Sequence, residues 1–275
     1  MGNCILKPAI AIRAVLARGC RRGFIGDNMT QAVTLTQSQT KSFMVRTYAW
    51  MAFALFISAA AAYLTAQNMF TMGPDGRMAL SSFGQLLFGG RGLGFIVLCV
   101  LEIAIVVILS ATIRKISVWA ATAFFILYAV VNGLTLSSIF VVYKISSIFS
   151  AFLTTSLTFL AMCIYGSKTK KDLTKFGRYL VMALMGIIIA SVIQFVLGLI
   201  TGAPLAMMDL IISVATVLVF TGLTAWDSQK IVQTAAYAKD NDDYKKVAII
   251  GALELYLDFI NIFLALLRIF GKNRD

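Results

Sequence analysis

Long apolar runs separated by short polar links make up most of this chain. Seven such runs stand out, at about 48–66, 92–113, 117–142, 146–166, 177–200, 208–234 and 246–269. Each approaches the roughly 20 residues that a helix needs to cross a bilayer core. Most carry Leu, Ile, Val, Ala and Phe all the way round rather than on one face, as helices immersed in lipid do. The pattern predicts an all-α polytopic membrane protein: a seven-transmembrane-helix bundle over residues 41–275, behind an N-terminal cytoplasmic extension, 1–40. The sixth run is interrupted near its end by Asp227, Gln229 and Lys230.

Composition agrees. The chain is 60% hydrophobic and 13% charged, whereas a soluble domain carries roughly 25% charged residues. The solvent for most of it must therefore be the lipid bilayer. A net charge of +12 could suit a nucleic-acid partner, but the Lys and Arg residues lie between apolar runs rather than in one patch, so nucleic acid is rejected and they read as topology signals. With the N-terminus in the cytoplasm, 18 of the 24 basic residues fall on inside segments. Against this, the tail carries Arg268, Lys272 and Arg274 on the outside, which leaves a re-entrant last segment as an alternative. Residues 1–28 hold Arg13, Arg18, Arg21 and Arg22 against a single acid, Asp27. Two readings stay open there: a translation start at Met29, or an Arg-rich targeting segment.

The chain has no histidine, which excludes HExxH zinc sites, Ser-His hydrolases, Cys-His proteases and His-ligated haem. Cys4, Cys20, Cys99 and Cys163 show no metal spacing. A diaspartyl protease would need a motif such as Gly-x-Gly-Asp, which neither Asp227 nor Asp258 carries. The expectation is a protein that is not an enzyme and has no cofactor.

The chemistry sits in acids that hydropathy should not tolerate. Only two of the 12 acids are Glu, and both, Glu102 and Glu254, fall within apolar runs, as do Asp227 and Asp258. An ionised carboxylate at mid-bilayer costs roughly 2.5–3.5 kcal/mol on insertion scales, so such residues normally face the bundle interior and mark an ion or proton path. The short link 235–245 makes the last two helices antiparallel neighbours, and Asp227 and Asp258 can meet at similar depth. In the last run Glu254, Asp258 and Asn261 follow i, i+4, i+7 on one face, continued by Arg268, while Leu257, Ile260 and Leu264 are opposite. This puts the last helix at the bundle centre with its polar stripe toward a wet cavity. Two carboxylates in contact share one proton, a pH sensor that needs no histidine. Arg114 is the candidate countercharge to Asp227, and the deprotonated pair would attract Ca²⁺, which prefers carboxylate oxygens. Asn132 and Gln194 are polar residues in the third and fifth runs, where an interhelical hydrogen bond is the commoner role.

At these residues the chain resembles a known family. The segment Ala252-Leu253-Glu254-Leu255-Tyr256-Leu257-Asp258-Phe259-Ile260-Asn261-Ile262-Phe263-Leu264, running on to Leu266-Leu267-Arg268-Ile269-Phe270-Gly271, is similar to the C-terminal signature of the Bax inhibitor (transmembrane Bax inhibitor motif) family. Phe220-Thr221-Gly222-Leu223-Thr224-Ala225-Trp226-Asp227-Ser228-Gln229-Lys230-Ile231 resembles its sixth-helix motif. Thr47-Tyr48 with Met51, and Leu101-Glu102 with Arg114, resemble its first and second helices. The resemblance covers about residues 41–271. It implies a seven-helix bundle with a central last helix and a pH-dependent Ca²⁺ leak, with Asp227 and Asp258 as the pair and Arg114 as the latch. Glu254 departs from the pattern, where a small or neutral polar residue is expected.

The leading expectation is a pH-sensitive calcium leak, with Ca²⁺ and protons as its ligands. The second is a regulatory protein that modulates a membrane protease or a stress or cell-death response through protein partners. A proton-coupled transporter is third, without the internal repeat it should have. Short loops favour a bacterial inner (plasma) membrane, with an organellar membrane as the alternative.

Overall fold

The computed structural model describes residues 37–72, 78–88, 93–113, 115–201, 205–235 and 241–272. The readings of residues 1–28 and of Arg114 fall outside these. Helix α1 (Gln37–Gln67) leads into a hairpin of β1 (Phe70–Met72) and β2 (Met78–Leu80) and a short α2 (Ser82–Phe88). Then follow α3 (Leu93–Thr112), α4 (Val118–Leu136), the single turn α5 (Ile139–Val142), α6 (Ile145–Lys168), α7 (Thr174–Thr201), α8 (Ala206–Ala235) and α9 (Asn241–Phe270).

Among the described residues, seven helical segments are long and apolar enough to cross a membrane: Lys41–Gln67, Leu93–Thr112, Val118–Val142, Ile145–Lys168, Thr174–Gly198, Ala206–Thr234 and Tyr244–Phe270. Six match the apolar runs to within a few residues. The first helix starts earlier than its run, because Phe43, Met44 and Thr47 are buried ahead of it. The third segment is broken between α4 and α5 at Ser137 and Ser138, whose hydroxyls donate to the carbonyls of Leu134 (2.6 Å) and Thr135 (2.9 Å). Such back-bonding competes with the helical ladder and bends it.

Helix α9 is the centre of the bundle. It packs against α8, α1, α6 and α4, while α3 leans on α4 and α7 on α8 from outside. Its neighbours leave Phe56, Leu64, Val97, Leu157, Val192 and Leu218 exposed, an apolar coat suited to lipid. The expected division of α9 into a wet stripe and an apolar face is therefore corrected: Leu257, Ile260 and Leu264 are as buried as Glu254, Asp258 and Asn261. Helices surround it on every side, so its polar positions meet side chains.

Small residues let the helices close on one another. A Cβ on Gly133 of α4 would come within 2.6 Å of the Ser58 carbonyl oxygen of α1, and one on Gly166 of α6 would run into the Ala225 backbone of α8.

The ends of the bundle differ in charge. One end gathers the α6–α7 and α8–α9 links and the start of α1, whose Phe43 ring lies 4.6 Å from that of Tyr244. Lys168, Lys170, Lys171, Lys175 and Arg178 belong to this basic end. The far end holds the α5–α6 link and the end of α9, joined where Lys144 N donates to the Lys272 carbonyl (3.0 Å) and Lys272 N to Ser147 Oγ (3.0 Å). Helix α9 thus runs the full height of the bundle rather than turning back.

Candidate functional site

The seam between α8 and α9 carries most of the unusual residues. Near the basic end, Lys230 Nζ of α8 donates to Glu254 Oε1 of α9 at 2.6 Å. The Glu254 side chain is 4% exposed and that of Lys230 20%. The ammonium also stands 5.7 Å from the centre of the Trp226 ring, one turn back on its own helix. Lys230, Ile231, Thr234, Val247, Ile250, Gly251 and Glu254 line a pocket there. Glu254 is held in an ion pair with Lys230, because that lysine faces the seam instead of the link.

The same contact fixes the register of the seam. Asp227 precedes Lys230 by three residues and Asp258 follows Glu254 by four, so each sits one turn deeper on the face that makes the ion pair. The two aspartates therefore lie at one level on adjoining faces, and both are buried. Beside Asp258, the side chains of Tyr48, Cys163 and Ser228 from α1, α6 and α8 form a buried polar cluster. Asn261 is buried one turn further along, its Nδ2 donating to the Leu257 carbonyl at 2.7 Å. Two aspartates offer at most four oxygens, whereas Ca²⁺ takes six to eight ligands. Among the described residues no group of three or more His, Cys, Asp or Glu could complete such a shell.

Glu102 stands apart from the aspartates. Its Oε1 accepts from Asn132 Nδ2 at 3.4 Å. Asn132 Oδ1 accepts from the Tyr256 hydroxyl at 2.8 Å, and that hydroxyl lies 2.8 Å from Ser58 Oγ. Four helices, α3, α4, α9 and α1, are thereby tied. Tyr256 and Asp258 leave α9 about 200° apart, so this network occupies the other side of the central helix. Asn132 makes the interhelical bonds expected of it, and Gln194 is buried on α7.

At the far end Arg268 does not simply extend the polar stripe. Its Nη1 donates to Asp209 Oδ1 of α8 at 3.1 Å. Back at the basic end, Gln229, which the hydropathy pattern showed only as an interruption, holds the α6–α7 link: its Oε1 accepts from Leu173 N at 2.9 Å and its Nε2 donates to the Lys171 carbonyl at 2.8 Å.

A family model described as inhibitor of apoptosis-promoting Bax1 matches residues 40–275. The chain belongs to this family. Similar proteins include the inner membrane protein YbhL of Escherichia coli strain K12, 39% identical over 247 residues, 89% of this chain and 97% of that one. An uncharacterized protein of Deinococcus radiodurans is 37% identical over 90% of this chain and 96% of its own length. An uncharacterized membrane protein of Streptococcus pyogenes serotype M3 is 42% identical over 63% of this chain and 72% of its own. This Bax inhibitor family member is thus a multi-pass integral membrane protein of helical fold. Sequence reasoning missed Lys230, Tyr256, Ser58 and Asp209 as partners of its polar residues. The signal for Lys230 was present: it stands one turn from Asp227 just as Glu254 stands one turn from Asp258, on two helices joined by a short link.

Proposed function

We propose that this protein is a pH-sensitive calcium leak of a bacterial inner membrane, gated by the aspartate pair Asp227 and Asp258. One feature carries the reading: Asp227 and Asp258 are both buried on the two helices of the innermost seam, each one turn from the Lys230–Glu254 pair, where a protein that only had to pack would carry Leu. They share a proton when close. Deprotonated, they attract both a permeant Ca²⁺ and the proposed latch Arg114. Protonation weakens the hold on the latch and loosens the basic, cytoplasmic mouth. Ca²⁺ and the proton are cargo and signal, and no catalytic step or cofactor enters. In liposomes holding purified protein and a calcium dye, Ca²⁺ flux rises as pH falls, and Asp258→Asn or Asp227→Asn flattens that profile. An unchanged profile in both variants would end this reading.

A second reading is favoured by the burial of α9 on all sides: a sealed core suits a regulatory protein that acts on a membrane protease or stress partner through its surface. It requires that the neutralised variants keep their cellular effect and that a stoichiometric partner is recovered with the protein.

A further inference from the structure

Outside the aspartate level stands a carboxylate that already holds a cation. Glu254 is almost fully buried. Its partner, Lys230, reaches it across the seam at 2.6 Å while keeping 20% of its own side chain exposed. The pair forms part of the wall of the pocket between α8 and α9, one turn short of Asp227 and Asp258 on the side of the basic end. Any cation travelling along this seam toward the aspartates meets Glu254 first, and finds the Lys230 ammonium on it.

We infer that Lys230 is a tethered plug: it occupies the entry carboxylate Glu254 in place of the permeant cation, and Ca²⁺ must displace it to reach the aspartate pair. The inference rests on the leak reading for the direction of travel, but the competition at Glu254 stands without it. Lysine suits the role because its ammonium is a compact point charge on a flexible stem. It also has somewhere to go. The face of Trp226 lies 5.7 Å away and attracts cations, and the lysine side chain is already partly exposed. A ligand on a short tether competes at an effective concentration of order millimolar. The plug therefore wins against trace Ca²⁺ and yields to abundant Ca²⁺, which makes the leak dependent on cation concentration as well as pH. Removing the lysine takes its ion-pair cation away from a buried carboxylate and opens that oxygen to a cation from solution.

The test compares wild type with Lys230→Gln, Glu254→Gln and the double variant, in two measurements. In ⁴⁵Ca equilibrium binding to purified protein, Lys230→Gln tightens the apparent affinity by roughly tenfold, the factor that about 1.4 kcal/mol of ion-pair strength represents. The double variant returns it to the wild-type value or weaker. In liposome flux at low Ca²⁺, Lys230→Gln raises the rate by a similar factor and Glu254→Gln cancels the rise. Thermal melting of each variant confirms that it is folded. An affinity that does not change on removing Lys230, or a gain that survives in the double variant, overturns the plug. The two readings fail separately. Flux that ignores Asp258→Asn removes the leak mechanism while the binding series still decides the plug, and flux that needs Asp258 but ignores Lys230 removes the plug alone.

Discussion

The two ends of the α8–α9 seam are each closed by an ion pair, and the pairs are built in opposite senses. At the basic end α8 supplies the cation, Lys230, and α9 the anion, Glu254; at the far end α8 supplies the anion, Asp209, and α9 the cation, Arg268. Side-chain exposures are 20% for Lys230 and 4% for Glu254, against 11% for Arg268 and 29% for Asp209. So the more buried member is the carboxylate at one end and the guanidinium at the other. A buried carboxylate behind a partly exposed lysine on a flexible stem is a place that a solution cation can contest. A half-exposed carboxylate held by an arginine, which is planar and always charged, is a clasp already wetted by solvent. The packing differs in the same direction. Around Glu254 and the aspartate level the helices approach closely, with Gly166 against the Ala225 backbone and Gly251 against the Ile231 side chain. The far end is tied by hydrogen bonds of Lys272 with Lys144 and Ser147, with Gly271 packed on the Tyr143 ring.

The hardest way to break the comparison is to fill the tight end. Gly166→Leu drives a side chain into the Ala225 carbonyl, and backbone cannot yield as a side-chain tip does. Overpacking costs typically 1–3 kcal/mol and occasionally more. We expect the upper end, about 3 kcal/mol, read as a large loss in melting temperature or as failure to recover monodisperse protein. Gly186→Leu is the matched control, since a Cβ there meets nothing within 4 Å. Equal damage from both would show that the basic end is not specially tight.

Next comes the ion pair. Lys230→Ala strands Glu254 in its pocket without its cation. Breaking a fully buried pair by removing one partner costs about 3–5 kcal/mol. The partial exposure of Lys230 lowers the expectation to about 2 kcal/mol, visible in thermal unfolding in detergent. A loss below about 0.5 kcal/mol, in the range of exposed surface pairs, would mean that Glu254 is far better solvated than its burial implies.

Much of this was legible in the sequence because lipid simplifies the problem. A run of about 20 apolar residues can only be a helix there, so six of the seven crossings could be read to within a few residues. The centrality of α9 followed from Glu254, Asp258 and Asn261 sharing a face that lipid would reject. Two things stayed hidden. Depth along a helix is written in the sequence, but azimuth relative to a neighbour is not. Glu102 and Asp258 therefore looked like members of one path, although Tyr256 and Asp258 leave α9 on opposite sides. Lys230 was also concealed by a rule that works on average: basic residues near a helix end are counted as topology signals, and nothing in the count distinguishes a lysine in the link from one that turns into the seam. The hairpin of β1 and β2 was missed because three-residue strands leave no alternation to read.

The gentlest change sharpens the contrast. Asp209→Asn keeps the shape and an acceptor oxygen for Arg268 Nη1, and removes only the charge. Asp209 is 29% exposed on its side chain, so water already shares in its solvation and screens the pair. Pairs of this exposure contribute about 0.2–1 kcal/mol, and the retained hydrogen bond returns part of that. The expected loss is below about 0.5 kcal/mol, and it should shrink further at high salt. Glu254→Gln, the same chemical change at the other end, leaves Lys230 facing a neutral amide in a drier pocket and should depend less on salt. If instead Asp209→Asn costs as much as Lys230→Ala, the far-end pair is a structural equal of the basic-end pair. The asymmetry between a contested carboxylate and a fixed clasp would then have to be given up, because the degree of burial would no longer decide what each pair does.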